Sequence, residues 1–239
     1  VYYSFLGYNN AGNNVQQDDR LNFFNPKIGL TYNLTPASNI YASFAVGHKE
    51  PNRDDYTQSL PDNRPRSERL DNIEVGYRTN GKQLSGGLNL YGMFYKDQLV
   101  LTGQINDVGA YVRSNVDKSY RIGAEADVRY QFSPQLSWAL TGALSQNRIS
   151  EFSEFVDDYD TGEQERKDYS NTTIGFSPSF VGSSELSWRP LRAAEIALLS
   201  KYVSRQFLDN SANSTKQLDA YFVNDIRASD VVKLRKIKT

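Results

Sequence analysis

From Ile122 onward the chain alternates between two kinds of position. One set reads Ile122, Ala124, Ala126, Val128, Tyr130, Phe132, and the interleaved set reads Gly123, Glu125, Asp127, Arg129, Gln131. Successive side chains of a strand point to opposite faces, so this period of two predicts a strand with one apolar and one charged face. The next segment repeats the design, with Leu136, Trp138, Leu140, Leu144 against Ser137, Thr141, Ser145, Asn147. Ser133-Pro134-Gln135 between them has the composition of a tight turn.

The same alternation recurs upstream. Ile28, Leu30, Tyr32, Leu34 alternate with Lys27, Gly29, Thr31, Asn33, and Ile40, Ala42, Phe44, Val46 alternate with smaller residues such as Ser43. Ile73, Val75, Tyr77 alternate with Glu74, Gly76, Arg78, and Leu84, Leu88, Leu90, Phe94 with Ser85, Asn89, Tyr91, Tyr95. In all, about ten segments read as strands, and none favours helical spacing. Segments 178–189, 194–207 and 218–228 are weaker, their apolar faces interrupted by Ser184, Ser200 and Asn224. Residues 110–132 can run as one strand, far longer than the ~5–6 residues typical of soluble sheets, with Lys118 and Ser119 as a candidate bulge.

Connections alternate in length. Thr35–Asn39, Thr79–Lys82, Ser133–Gln135 and Arg189–Ala194 are short, whereas 9–22, 49–69, 150–177 and 208–217 are long and polar, and 100–109 is intermediate. Short turns at one end and long loops at the other are the plan of an outer-membrane barrel. Tyr32, Tyr41, Tyr77, Tyr130, Phe132, Trp138 and Trp188 all fall near the short turns, which predicts an aromatic girdle at one height. The alternation alone also fits a soluble sandwich with one wet face. Strand length and loop asymmetry favour an all-β, antiparallel transmembrane barrel.

Composition removes several function classes. The formal net charge is −1, with no basic surplus for a nucleic-acid partner. With no cysteine and a single histidine, His48, the chain lacks disulfides, thiol catalysis and the usual zinc donors. Without a nucleophile elbow, His48 gives no support to hydrolysis, and we read the chain as no enzyme, needing no cofactor. No apolar run approaches the ~20 residues of a membrane helix. The start, VYYSFLGY, has no signal-peptide character and begins like the middle of a strand.

At this point the residues resemble a known family. Pro26-Lys27-Ile28-Gly29-Leu30-Thr31-Tyr32, Thr35-Pro36 and Asn39-Ile40-Tyr41-Ala42-Ser43-Phe44 resemble a recurring hairpin of TonB-dependent receptor barrels. Lys49-Glu50-Pro51-Asn52-Arg53-Asp54-Asp55-Tyr56 is similar to its entry into an outer loop. Glu68 with Asn72-Ile73-Glu74-Val75-Gly76-Tyr77-Arg78, and then Asn89-Leu90-Tyr91 with Tyr95-Lys96-Asp97-Gln98-Leu99-Val100, resemble the strands that follow. Lys201-Tyr202-Val203-Ser204-Arg205-Gln206-Phe207-Leu208-Asp209-Asn210 resembles a motif frequent in receptors of the Bacteroidetes.

The resemblance covers residues 20 to about 228 and implies the later part of a barrel of about 22 strands. It implies a bacterial outer-membrane location and TonB-driven import of a scarce solute, a ferric siderophore before cobalamin or a glycan. It also implies partners: outer-membrane lipid and lipopolysaccharide, a metal chelate, and the TonB complex through an upstream plug. A passive porin or structural barrel, and a soluble β-sandwich binding module, are the alternatives. The expected domain is a partial barrel over 1–230. The basic tail 231–239 departs from the family's aromatic last strand and is expected to be disordered or artefactual. Ten strands leave two unpaired edges, so the chain is expected not to close by itself.

Candidate ligand contacts follow from charge. Arg53, Arg64, Arg66 and Arg69 cluster in one loop, as a site for an anionic ligand would, although a charged loop facing solvent or lipopolysaccharide is the plainer reading. His48 stands at a strand–loop junction and is a candidate contact for a metal chelate, but one histidine makes no site. Asp157-Asp158-Tyr159-Asp160-Thr161-Gly162-Glu163 with Asp168 partly matches a calcium loop. Tyr159 and Thr161 stand where oxygen-rich acids are needed, so a solvated acidic loop is expected.

Overall fold

The structure, a computed structural model, describes residues 2–5, 17–59, 64–105, 111–191 and 193–230. Val1 and the tail 231–239 lie outside them. Ten strands form one antiparallel sheet: β3 (Lys27–Thr35), β4 (Ser38–Lys49), β5 (Glu68–Asn80), β6 (Leu84–Ile105), β7 (Tyr111–Ser133), β8 (Leu136–Asp157), β9 (Gln164–Thr173), β10 (Phe180–Trp188), β11 (Ala194–Val203) and β14 (Tyr221–Asp230). Two small pairs flank it, β1 (Tyr2–Phe5) with β2 (Gln17–Arg20), and β12 (Gln206–Phe207) with β13 (Gln217–Leu218). One short helix, α1 (Arg53–Gln58), lies between β4 and β5. The main order is β14-β11-β10-β8-β7-β6-β5-β4-β3, with β9 branching from β8. Because β3 and β14 do not pair with each other, the sheet is an open arc.

The short connections β3–β4, β5–β6, β7–β8 and β10–β11 share one end. They are tied to their neighbours there: the amide of Asn80 donates to the Ala37 carbonyl at 2.7 Å, Gln131 to Gln83 at 2.8 Å and Arg189 to Gln135 at 2.7 Å. Register then fixes the faces. Leu30, Ala42, Val75, Leu90, Ala124 and Leu144 form a single cross-strand row, and Gly86, Val128 and Leu140 belong to another on the same side. Glu125, Asp127 and Thr141 lie on the opposite side. The large apolar side chains of the first face are exposed, Leu90 by 52% even though its strand is flanked on both sides. No second sheet packs across this face among the described residues, so the sandwich alternative is not favoured.

The aromatic positions near the short turns share this face, with Tyr32, Tyr77, Tyr130, Phe132, Trp138 and Trp188 all exposed. Tyr41 does not belong to them. It pairs with Gly76 on the polar face, and its hydroxyl donates to Asn89 Oδ1 at 3.0 Å. The parity of its own strand puts it there, since Ile40 and Ala42 take the apolar side. The interruptions Ser184, Ser200 and Asn224 align in one row of β10, β11 and β14. They satisfy one another and a neighbour: Trp138 Nε1 donates to Ser184 Oγ at 2.8 Å, and Ser200 Oγ to Asn224 Oδ1 at 2.6 Å. Internal hydrogen bonds reduce the penalty of polar groups on an apolar surface.

Two expectations about local structure are corrected. Much of 150–177 is strand rather than loop, because β8 continues to Asp157 and turns back as β9. Lys118 and Ser119 make no bulge: Lys118 pairs with Lys96 and Ser119 with Tyr95 in unbroken register. The irregularity lies across the ladder at Asp97, whose φ is +56°. β8 pairs with β7 only from Ser119 downward and with β9 above it. The two long hairpins therefore part at this level, and Val116, Ile149, Phe152 and Ile174 fill the gap as a conventional buried core.

Candidate functional site: the polar face and the outer loops

The polar face is built from odd positions of β6, β7 and β8, where small and hydrogen-bonding side chains alternate. Two tyrosines lie flat across it because glycines make room. A Cβ at Gly76 would land inside the Tyr41 ring, and one at Gly123 would stand 2.7 Å from the Tyr91 hydroxyl. Arg78 sits over the Tyr41 ring at 5.1 Å. Arg121 reaches Ser177 Oγ at 3.1 Å, and Asn72 donates to Glu74 at 2.8 Å. Asn72, Glu74, Tyr91, Arg121 and Ser177 help line a cavity of about 370 Å³ that spans β5 to β8, so the polar side of the arc is its hollow side. Near the short turns Arg227 bridges Glu185 at 3.0 Å and Glu195 at 3.4 Å, and Arg189 also binds Glu195.

Above the hollow, the outer loops are clamped to the strands. Asn52 and Asp55 form a capping box at the start of α1. The same Asp55 carboxylate, 4% exposed, accepts two hydrogen bonds of 2.7 Å from Arg113 on β7. Such a two-pronged geometry is what an arginine–carboxylate pair needs to offset the desolvation of a buried charge. Tyr56 donates to Asp19 at 2.7 Å and joins β2 to the same assembly. Farther along, Lys216 binds Glu154 at 2.8 Å and Asp209 at 2.9 Å. These bonds, to Glu154 first, push the lysine above its ordinary value. Burial raises the Asp209 carboxyl, but hydrogen bonds from Ser211 and Lys216 outweigh it and hold the group below the usual range. Burial and the hydrogen bond to Glu154 push the Tyr169 hydroxyl up. Between the parted hairpins is a cavity of about 710 Å³, lined by Asn115, Asp117, Glu151, Phe152 and Asp168 among others.

The five residues singled out from the sequence do not converge. His48 pairs with Arg69 in the ladder, and both take the apolar face. The His48 ring stacks on Phe23 at 5.0 Å and shares a hydrogen bond of 2.7 Å with Asn25. Arg69 is held by Asp71 at 3.0 Å. Arg66 bonds Asp97 at 2.8 Å and Asp117 at 3.5 Å, and Asn115 brackets its backbone. Arg53 and Arg64 are exposed. The acidic stretch is an ordered hairpin tip. Asp158 accepts from the Asp160 amide at 3.0 Å and from Thr161 at 2.9 Å, which lowers its pKa, and Gly162 supplies the φ of +75° that the turn requires. Asp168 lies on β9 and is bound by Ser153 at 2.6 Å and Arg166 at 2.8 Å. Sequence reasoning missed Arg113, Arg121 and Lys216. For the two arginines the signal was present, since their odd positions put them on the polar face of β7.

Comparison with known proteins agrees with this geometry. A family profile described as "TonB dependent receptor-like, beta-barrel" matches residues 1–234. No curated protein matches the chain. Among solved structures, the ferric yersiniabactin uptake receptor FyuA from Yersinia pestis is similar with a TM-score of 0.63 at 18% identity, over 88% of this chain and 30% of its own. The ferric-catecholate import receptor Fiu from K12 E. coli gives 0.66 at 15%, over 91% of this chain and 30% of its own. The copper transporter OprC gives 0.72 at 13%, over 94% and 33%. The chain thus spans about a third of the length of these structures. Matched by the family profile from end to end of its sheet, the chain belongs to the TonB-dependent receptor β-barrels.

Proposed function

We propose that the protein carrying this chain imports a scarce solute across the bacterial outer membrane, with a ferric siderophore as its cargo. The observation that carries the reading is the family match over residues 1–234, on a sheet whose exposed face is apolar and whose hollow face is polar. An apolar exterior suits lipid, and a hollow lined by Glu125, Asp127 and Arg121 suits a water-filled or plugged lumen. The similar structures are named for ferric yersiniabactin, ferric-catecholate and copper transport, which favours a metal or a metal chelate as cargo. In this reading Arg53 and Arg64 meet an anionic ligand from the outer loops. The barrel holds and passes the solute without covalent chemistry, and TonB supplies the energy through a plug. The motif Lys201–Asn210 favours a receptor of the Bacteroidetes type.

Deleting the gene and growing the cells on single iron sources tests the cargo. Loss of growth on one ferric chelate alone, restored by the gene, supports the reading. Unchanged growth on every ferric source contradicts the siderophore assignment and moves attention to cobalamin or a glycan. Energy coupling is tested separately by whether the gene encodes a plug with a TonB box. A gene without one favours a passive porin or structural barrel.

A further inference from the structure

The ladder between β7 and β8 stops at the pair Ser119 and Ile149. Beyond it β7 keeps β6 on one side, and β8 keeps β9. The other edge of β7 over 114–117, and that of β8 over 151–155, therefore have no strand partner among the described residues. Both stretches line the cavity of about 710 Å³, so the two free edges face each other across a slot. At the rise of a strand the slot is about 15 Å long, the length of roughly four or five extended residues. Above it the hairpins meet again, where Gln164 Nε2 donates to the Gly103 carbonyl at 3.0 Å.

Charge accounts for the parting. Continued in the same register, Lys118 would face Ser150, and Asp117 would face Glu151. Like charges directly opposite destabilise a strand pair. Asp168 on β9 adds a third carboxylate on the side of Glu151, since its ladder partner is Ser153. Arg166 is the one cation among the described lining residues, and Asp168 already holds it at 2.8 Å. Asp117 has a contact of 3.5 Å with Arg66, and Glu151 makes no ion pair among the described residues. The other side of the slot is apolar. Val116 and Phe152 have the opposite parity and belong to the buried core.

We propose that this slot takes an extended basic peptide by strand addition, pairing with β7 on one edge and with β8 on the other. Parity sets the sequence of the added strand. Every second side chain points toward Asp117, Glu151 and Asp168, where Lys or Arg is matched. The side chains between them lie against Val116 and Phe152, where apolar residues are matched. A cation standing between Asp117 and Glu151 also removes the repulsion that holds the strands apart. The facing edges argue for a peptide over a free organic cation, which would use the carboxylates but neither backbone. The slot shares no lining residue with the hollow between β5 and β8, so the proposal is independent of the cargo.

The test uses the full gene product in non-ionic detergent, titrated with the blocked hexapeptide Lys-Val-Lys-Val-Lys-Val while amide hydrogen exchange is followed. Exchange should slow in 114–117 and in 151–155 together. The same peptide with N-methylated valines, which cannot pair on both edges, should give no such protection, and a Glu-Val counterpart should not bind. The double variant Asp117→Asn/Glu151→Gln should bind the Lys-Val peptide about tenfold more weakly, as expected for two lost surface charges. Glu163→Gln, at the hairpin tip, should bind like the unmodified protein. Heat-modifiable gel mobility confirms that each variant still folds as a barrel. Absence of Lys-Val binding, or equal binding by the double variant, overturns the site. Equal binding of the N-methylated peptide, or full competition by spermidine, overturns strand addition and marks a cation pocket. Full protection of both edges before any peptide is added shows the slot filled by the protein's own chain, and overturns the proposal as well.

Discussion

Ile149 is shut off from solvent completely, while Leu90 keeps 52% of its surface exposed in the middle of the same sheet. The two side chains have almost the same chemistry. They belong to regions built for different surroundings. The parted outer hairpins bury Val116, Ile149, Phe152 and Ile174 against one another, as a protein in water must. The lower sheet turns its apolar side outward and its charges into the hollow, and hydrogen bonds rather than apolar packing knit its interior. Exposed apolar surface on this scale marks an interaction with something apolar. The contrast falls at the level of Ser119, where the hairpins part and the buried core begins.

The largest effect is expected in the outer region. Arg113→Met leaves the Asp55 carboxylate buried without its partner, a loss on the order of 3–5 kcal/mol. Because α1 is held at few points, the loss should be local. Residues 50–59 should become readily cleaved by protease while the heat-modifiable mobility of the barrel persists. If the lower sheet unfolds as well, the two regions are one cooperative unit and the contrast fails.

Next comes a charge on the outward face. Leu90→Arg should cost about 2–4 kcal/mol in a bilayer near the midplane. The same exposed position in a water-soluble sheet would tolerate it almost freely. Refolding titrations in lipid vesicles measure the difference, and a neutral result would place Leu90 away from lipid.

A smaller loss is expected in the hollow. Gly123→Val drives a side chain into the Tyr91 ring and the Leu144 carbonyl, and overpacking of this kind costs about 1–3 kcal/mol. The additional variant Tyr91→Ala should recover part of that loss, since it vacates the space. No recovery would show that the backbone carbonyl, and not the ring, sets the limit.

The mildest effect concerns Lys216, whose clamp is partly exposed and worth at most about 1 kcal/mol. Its raised pKa contributes stability that is complete below the ordinary lysine value and fades as pH rises through the folded one. The lowered pKa of Asp209 contributes above the ordinary aspartate value and is lost as pH falls through the folded one. Hydrogen exchange in 209–217 should thus be flat through neutral pH and accelerate in acid below about 4. Lys216→Met should weaken that pH dependence and leave the part that Ser211 supplies.

Much of the lower sheet was legible because a strand has a period of two and every residue on it votes. Glu125, Asp127 and Arg129 against Ala124, Ala126 and Val128 define both the strand and its faces before any contact is known. Tyr41 was misplaced when nearness to a turn was allowed to outweigh that parity. The outer region was harder to read. Residues 150–177 look like a polar loop because β8 and β9 there alternate in the aqueous manner, with Glu151 and Asp168 exposed and Ser153 half-buried. Clamps such as Asp55 with Arg113 join residues 58 positions apart, and local pattern carries no trace of such a pairing. His48 and Arg69 looked like loop residues by their place in the chain, and only the ladder sets them opposite each other on the apolar face.

The central claim is that the exposed apolar face meets lipid and the hollow meets water. Spin labels placed singly at Leu140 and Asp127 in the reconstituted protein test it most directly. The account predicts that a label at position 140 is relaxed by oxygen dissolved in the bilayer and shielded from a water-soluble nickel chelate. The label at position 127 should show the opposite preference. The reverse pattern, or equal access of the nickel chelate to both, would contradict the face assignment and with it the reading of this sheet as a membrane-spanning wall.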